Sequence, residues 1–126
     1  MNILVTDDDL IVLRSCERIL EAEGHRVKLT GNADDALAAL GGEPFDLVLI
    51  DVVMELKDGV YLIERVRERW KDLPIILMSG YSTPETISRG MKAGANRFIP
   101  KPFTPDELLA VIEKLDFGKH EGERNG

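Results

Sequence analysis

Five short apolar runs alternate with five longer amphipathic stretches, and this alternation limits the possible folds more than any other feature of the chain. Residues 2–6, 45–50 and 74–78 are nearly continuous apolar runs of strand length. Such runs are expected where helices cover both faces of a parallel sheet. Residues 25–30 alternate instead, with Val27 and Leu29 facing in and Arg26 and Lys28 facing out, which suits an edge strand. Residues 96–99 read as the fifth strand. The stretches between the runs carry helical spacing. Leu13, Cys16 and Leu20 recur within 10–23, Ala36, Leu37 and Leu40 in the next helix, and Leu62, Ile63, Val66 and Trp70 within 59–71. Start and stop signals bracket them. Asp9 caps the first helix and Gly24 stops it, and Asn32 or Ala33 opens the second, which Gly41-Gly42 and Pro44 end. Thr83-Pro84 opens the fourth, which reaches Ala93 with Gly94 beyond it. Thr104-Pro105-Asp106-Glu107 is a capping box before a helix running through Leu115. The expected class is α/β: a doubly wound, five-stranded parallel sheet with five helices.

The 126 residues suffice for one core, placed at 1–116, with 117–126 as a flexible tail or linker stub rich in glycine and charge. The formal net charge of -7 argues against direct nucleic-acid binding or attachment to an anionic membrane, and is compatible with a divalent cation. Cys16 is the only cysteine, so no internal disulfide forms, and it reads as a small core residue. His25 and His120 have no partner cluster in sequence and read as surface residues. No apolar run approaches the ~18 residues of a membrane span. The N-terminus carries no basic region ahead of an apolar core, so a cytoplasmic location is expected.

Parallel strands bring all their carboxyl ends to one rim, where ligands bind in open α/β sheets. Asp7 and Asp8 follow the first strand, Asp51 the third, Ser79 the fourth and Lys101 the fifth. Taken singly, each fits an ordinary role: Asp8 or Asp9 as a helix cap, Asp51 as a solvated strand end, Ser79-Gly80 as a turn, Lys101 as an exposed loop lysine. Together they form one expected site. Three carboxylates on one rim repel one another, and a divalent cation, Mg2+ above all, offsets that repulsion. Lys101 adds a positive charge and Ser79 a hydroxyl. Carboxylate nucleophile, cation, ammonium and hydroxyl suffice for phosphoryl transfer onto aspartate, which needs mainly positioning and charge neutralisation.

Four blocks resemble the receiver domain of two-component response regulators: Ile3-Leu4-Val5-Thr6-Asp7-Asp8-Asp9; Phe45-Asp46-Leu47-Val48-Leu49-Ile50-Asp51 with Met54 and Asp58-Gly59; Pro74-Ile75-Ile76-Leu77-Met78-Ser79-Gly80; and Gly94 to Phe103. The resemblance covers residues 2 to about 115. It implies a flavodoxin-like sheet of order 2-1-3-4-5. It also implies a phosphoprotein of two-component signal transduction, in which Asp51 accepts a phosphoryl group from a sensor histidine kinase or a histidine phosphotransfer protein. Asp8, Asp51 and the backbone carbonyl of Val53 would ligate Mg2+, with Asp7 acting through water. Ser79 and Lys101 would hold the phosphoryl oxygens. Phosphorylation would draw Ser79 inward and let the Phe98 ring turn. That repacks the face of the fourth helix, fifth strand and fifth helix, which meets an output domain, a target protein or a second copy in a homodimer. The resemblance further implies a cis Lys101-Pro102 bond.

Some positions depart from the pattern. Glu55 stands where the family usually has proline, Lys57 where it has a hydrophobic residue, Gly80 where alanine is commoner, and Phe98 where tyrosine is frequent. None removes a group the chemistry needs. The expected protein catalyses only its own phosphorylation and dephosphorylation and is not an enzyme in the ordinary sense. A flavin carrier of the same fold is disfavoured, because three aspartates after the first strand would repel a phosphate. A hydrolase acting through an aspartyl phosphate would usually need a second aspartate at position 53, which is valine. The remaining alternative is a receiver-like interaction module that is never phosphorylated.

Overall fold

The computed structural model describes residues 1–54, 58–80 and 83–115. Strands and helices alternate without exception: β1 (Asn2–Thr6), α1 (Leu10–Ala22), β2 (Arg26–Thr30), α2 (Ala33–Gly42), β3 (Leu47–Asp51), α3 (Gly59–Arg69), β4 (Ile75–Ser79), α4 (Pro84–Ala93), β5 (Arg97–Pro100) and α5 (Pro105–Glu113). The five strands form one parallel sheet in the order β2-β1-β3-β4-β5. Both the class and the strand order match expectation, and the polar strand β2 lies at an edge.

Alternation along the central strands divides the interior in two. Leu4, Val48, Ile50 and Leu77 face one side, against Ala36 and Leu40 of α2 and Leu62, Ile63 and Val66 of α3. Ile3, Val5, Leu49, Ile76 and Met78 face the other, against Leu13, Cys16 and Leu20 of α1 and Leu108 and Ile112 of α5. Cys16 is a buried core residue, and burial pushes its thiol up to about 12, so it stays protonated and inert.

The caps act as their chemistry requires. Asp9, Asn32, Asp58, Thr83 and Thr104 each accept a backbone N–H from the first turn of the following helix, and Thr104 with Glu107 closes the full capping box. Several boundaries move from the sequence expectation. The third strand begins at Leu47 rather than Phe45, because Asp46 leaves the ladder. Its carboxylate accepts Asn2 N–H at 2.7 Å and its own N–H donates to the Asn2 carbonyl at 2.7 Å. Helix α2 continues through Gly41 and Gly42, held by a bond from Glu43 N–H to the Ala39 carbonyl. Helix α3 ends at Arg69 with Trp70 as its cap, and α5 ends at Glu113. Strands β4 and β5 each sit one residue nearer the rim, so Ser79 and Pro100 are their last residues. His25 is half-buried, and its Nδ1 lies 3.0 Å from the N-terminal amine. Glu55, Lys57, His120 and the expected tail at 117–126 lie outside the described residues.

Candidate functional site

Asp7 leaves the end of β1 completely buried. Its backbone N–H donates to the Thr30 carbonyl of β2 at 3.1 Å, and beneath it the Thr6 and Thr30 hydroxyls meet at 2.9 Å. Its carboxylate is held on both oxygens: Oδ1 accepts Asp9 N–H at 2.9 Å and Oδ2 accepts Lys101 Nζ at 2.9 Å. The turn that presents Asp7 therefore also starts α1, since Asp9 caps that helix. Asp8, between them, is exposed.

Asp51 is the last residue of β3 and is only 4% exposed. Its Oδ1 lies 3.5 Å from Lys101 Nζ and accepts a long bond, 3.4 Å, from Val53 N–H. One carboxylate oxygen from each of Asp7, Asp8 and Asp51 lies within 4.8 Å of the others. Burial, then the Asp7 charge, raises the Asp51 carboxyl to about 6, against the pull of Lys101 and of the Val53 N–H. Burial also disfavours the Lys101 ammonium, but the hydrogen bond to Asp7 and the two carboxylate charges outweigh it, so the Lys101 pKa is raised.

Ser79 ends β4 fully buried, and its carbonyl accepts Lys101 N–H at 2.8 Å, which sets where the chain leaves β5. The Lys101-Pro102 peptide is cis, as the resemblance implied. Phe98 is half-buried against the cluster that contains Leu77. The residues singled out at the strand ends thus share one rim.

Lys101 is less open than a loop lysine would be, with only 18% of its side chain exposed. Sequence reasoning also missed the support beneath the acids. The signal was present as two threonines at matching ends of neighbouring strands, Thr6 opposite Thr30. Gly59 figures only as part of a matching block, and its packing role is not read from the sequence. Its N–H donates to the Val52 carbonyl at 2.9 Å, and a Cβ there would collide with the Asp51 carbonyl oxygen and the Val52 Cα. Backbone cannot yield as a side-chain tip can, so Gly59→Ala is expected to cost about 2–4 kcal/mol and to displace Asp51. Urea unfolding checks this: a midpoint unchanged from wild type would contradict it.

Three buried or rim carboxylates offset by one ammonium are a donor set suited to an oxygen-seeking divalent cation. Among the described residues, no helix is long and apolar enough to cross a membrane.

Residues 3–113 match the sequence profile of the response regulator receiver domain. The chain is 35% identical over 113 residues to a DNA-binding transcriptional regulator NtrC from Proteus hauseri, covering 90% of this chain and 24% of that protein. It is 35% identical over 115 residues to the response regulator MprA from Mycobacterium avium (strain 104), covering 91% and 50%. It therefore spans half or less of the length of these relatives. Among solved structures, the CheY-like response regulator receiver domain protein of Methanospirillum hungatei JF-1 superposes with a TM-score of 0.88 at 32% identity, covering 99% of this chain and 98% of that one. The Vibrio cholerae chemotaxis protein CheY4 gives a TM-score of 0.88 at 26% identity, covering 91% and 98%. The match runs through every strand and helix that builds the acidic rim, and the chain belongs to the response regulator receiver domain family.

Proposed function

We propose that this chain is a phosphorylation-driven switch of a two-component phosphorelay, with Asp51 as phosphoacceptor and Mg2+ held by Asp8, Asp51 and the Val53 carbonyl. The observation that carries this reading is the approach of Lys101 Nζ to both Asp7 and Asp51, at 2.9 and 3.5 Å, beside the exposed Asp8. An Asp51 carboxylate oxygen attacks the phosphorus of a phosphohistidine. The new O–P bond forms as the P–N bond breaks, and the electron pair returns to the imidazole. Mg2+, when bound, would neutralise charge on the phosphoryl oxygens. Lys101 contributes a second, fixed positive charge, and the Ser79 hydroxyl hydrogen-bonds a phosphoryl oxygen. Asp7, fully buried and bonded on both oxygens, anchors Lys101, and it would act on the cation only through water.

Ser79 and Phe98 belong to neighbouring strands, with Phe98 opposite Leu77. A move of Ser79 toward the phosphoryl group opens space for the Phe98 ring, which shifts the balance between two packings of the α4–β5–α5 face. That face then meets an output domain, a target protein or a second copy. The chain catalyses its own phosphorylation and dephosphorylation and works in the cytoplasm.

The wild-type chain is expected to gain one phosphoryl group from acetyl phosphate with Mg2+, and none without the metal, read by intact mass. An unchanged mass with the metal present would favour the reading in which the domain acts by contact alone. The phosphohistidine donor is expected to dock over the first turn of α1, where Leu10 is 61% and Ile11 77% exposed beside the acids. Ile11→Ser is expected to slow transfer from the donor about tenfold and to leave labelling by acetyl phosphate unchanged. Equal slowing with both donors would place Ile11 in the chemistry instead.

A further inference from the structure

Helix α4 is held very differently at its two ends. At its C-terminal end the Arg67 guanidinium of α3 makes four hydrogen bonds. Nε donates to the Gly94 carbonyl at 3.0 Å, Nη1 to the Trp70 and Leu73 carbonyls at 2.9 and 2.7 Å, and Nη2 to Asn96 Oδ1 at 2.9 Å. Asn96 Oδ1 also accepts Ile75 N–H at 2.8 Å, so the same cluster grips the start of β4. Gly94 has φ +129°, and a Cβ there would meet the Arg67 stem. Gly90, the one buried residue of α4, lies directly on Leu77.

Among the described residues, the N-terminal half has no such grip: Thr86 and Ile87 are half-buried, and Glu85, Ser88 and Arg89 are exposed. An ion pair, Arg89 Nη2 to Asp58 Oδ2 at 3.6 Å, ties this half to the start of α3. Asp58 ends the segment that begins at Asp51, and its other oxygen caps α3 by accepting Tyr61 N–H at 3.0 Å. Asp58 and Arg89 stand between two open grooves. One, of about 390 Å3, is lined by Val53, Met54, Thr83 and Thr86, and the other, of about 550 Å3, by Tyr61, Glu64 and Lys92.

We propose that α4 is a lever that pivots on Arg67 and is latched at its free end by the Asp58–Arg89 ion pair. The latch gives the segment after Asp51 a connection to the outward face of α4 that is separate from the Ser79–Phe98 exchange. A partner that engages Arg89 withdraws it from Asp58, and by reciprocity any change that moves Asp58 alters what α4 presents to that partner. The lever goes beyond the phosphoacceptor reading and needs neither metal nor phosphate to be tested.

Hydrogen exchange of the full chain, metal-free and unphosphorylated, is the test. In the wild type, amides 86–89 exchange faster than 91–95. Arg89→Gln and Asp58→Asn each raise exchange at 86–89 by about two- to five-fold, the range an exposed ion pair permits. The double variant exchanges no faster than either single one, because the two substitutions break the same contact. The amide side chain introduced by Asp58→Asn retains an oxygen for the cap, so melting within about 2 °C of wild type confirms that α3 is intact. Arg67→Lys, which keeps the charge but loses the fork, raises exchange at 91–95 as well as at 86–89. Equal protection of the two halves in the wild type, additive single effects, or an Arg67→Lys effect confined to 86–89 would overturn the lever. None of these results bears on acetyl phosphate labelling, so the two readings fail independently.

Discussion

Asp51→Asn is expected to abolish phosphoryl acceptance under conditions where the wild type gains one group. The asparagine side chain keeps nearly the same shape but has no anionic oxygen to attack phosphorus. Asp7 cannot substitute, because its oxygens are already bonded to Asp9 N–H and Lys101 and it is fully buried. Asp8 is exposed, whereas Asp51 is buried beside Lys101. Labelled protein should therefore fall below detection by intact mass, and residual label at Asp8 would displace Asp51 from its role. Lys101→Ala is a milder chemical lesion, since the nucleophile remains. Loss of the fixed positive charge is expected to slow labelling about 10²–10³-fold. It also removes the only cation within 4 Å of either buried acid among the described residues. Lys101→Ala is accordingly expected to destabilise the metal-free fold at neutral pH, and added Mg2+ should restore most of that loss.

The second large effect is a pH-dependent penalty stored at Asp51. Its folded carboxyl sits at about 6 against an ordinary 3.8. A raised carboxyl means that the folded chain holds a proton between these values that the unfolded chain has released. The contribution to stability is complete below about pH 4, falls away as pH rises through about 6, and stays lost above it. The gap of about two pKa units corresponds to about 3 kcal/mol. Other carboxylates impose slopes of their own, so the informative quantity is the difference between wild type and Asp51→Asn. In EDTA the variant is expected to match the wild type near pH 4 and to exceed it increasingly up to about pH 7, where it melts up to about 10 °C higher. Mg2+ should close the gap by stabilising the wild type alone. Parallel melting curves across this range would show that Asp51 bears no such load.

The same rim explains why a switch can reside here. A buried pair of acids held by one lysine is an expensive arrangement at neutral pH, and anything that supplies positive charge relieves it. On the proposed reading, a bound cation would relieve this tension, and phosphorylation, which adds negative charge, would raise the demand for it. The groups that bear this tension sit at the ends of β1 and β3, with Lys101 just beyond β5.

Much of this architecture was legible in the chain. The apolar runs announce buried parallel strands because both faces of such strands are covered, and the alternating Arg26-Val27-Lys28-Leu29 announces an edge because one face is wet. Asp9, Thr83 and Thr104 mark helix starts because an unpaired N–H in a first turn needs a nearby oxygen. The site residues could be named because parallel strands send their carboxyl ends to one rim, so order along the chain becomes proximity in space. Strand limits were less legible. The departure of Asp46 depends on the backbone of Asn2, a partner 44 positions away.

What only the tertiary structure decided are the distances and the loads. Sequence shows that Asp7, Asp51 and Lys101 share a rim, but not that Asp7 takes both Asp9 N–H and the ammonium, or that Asp51 is left at 3.5 Å with its carboxyl raised. Nor does it show that Arg67 grips the far end of α4 while Arg89 holds the near end by one exposed pair. Periodicity and capping are local, set by neighbours within a turn or a pleat. Burial, charge coupling and the asymmetry of α4 are sums over residues that meet only after the chain has folded.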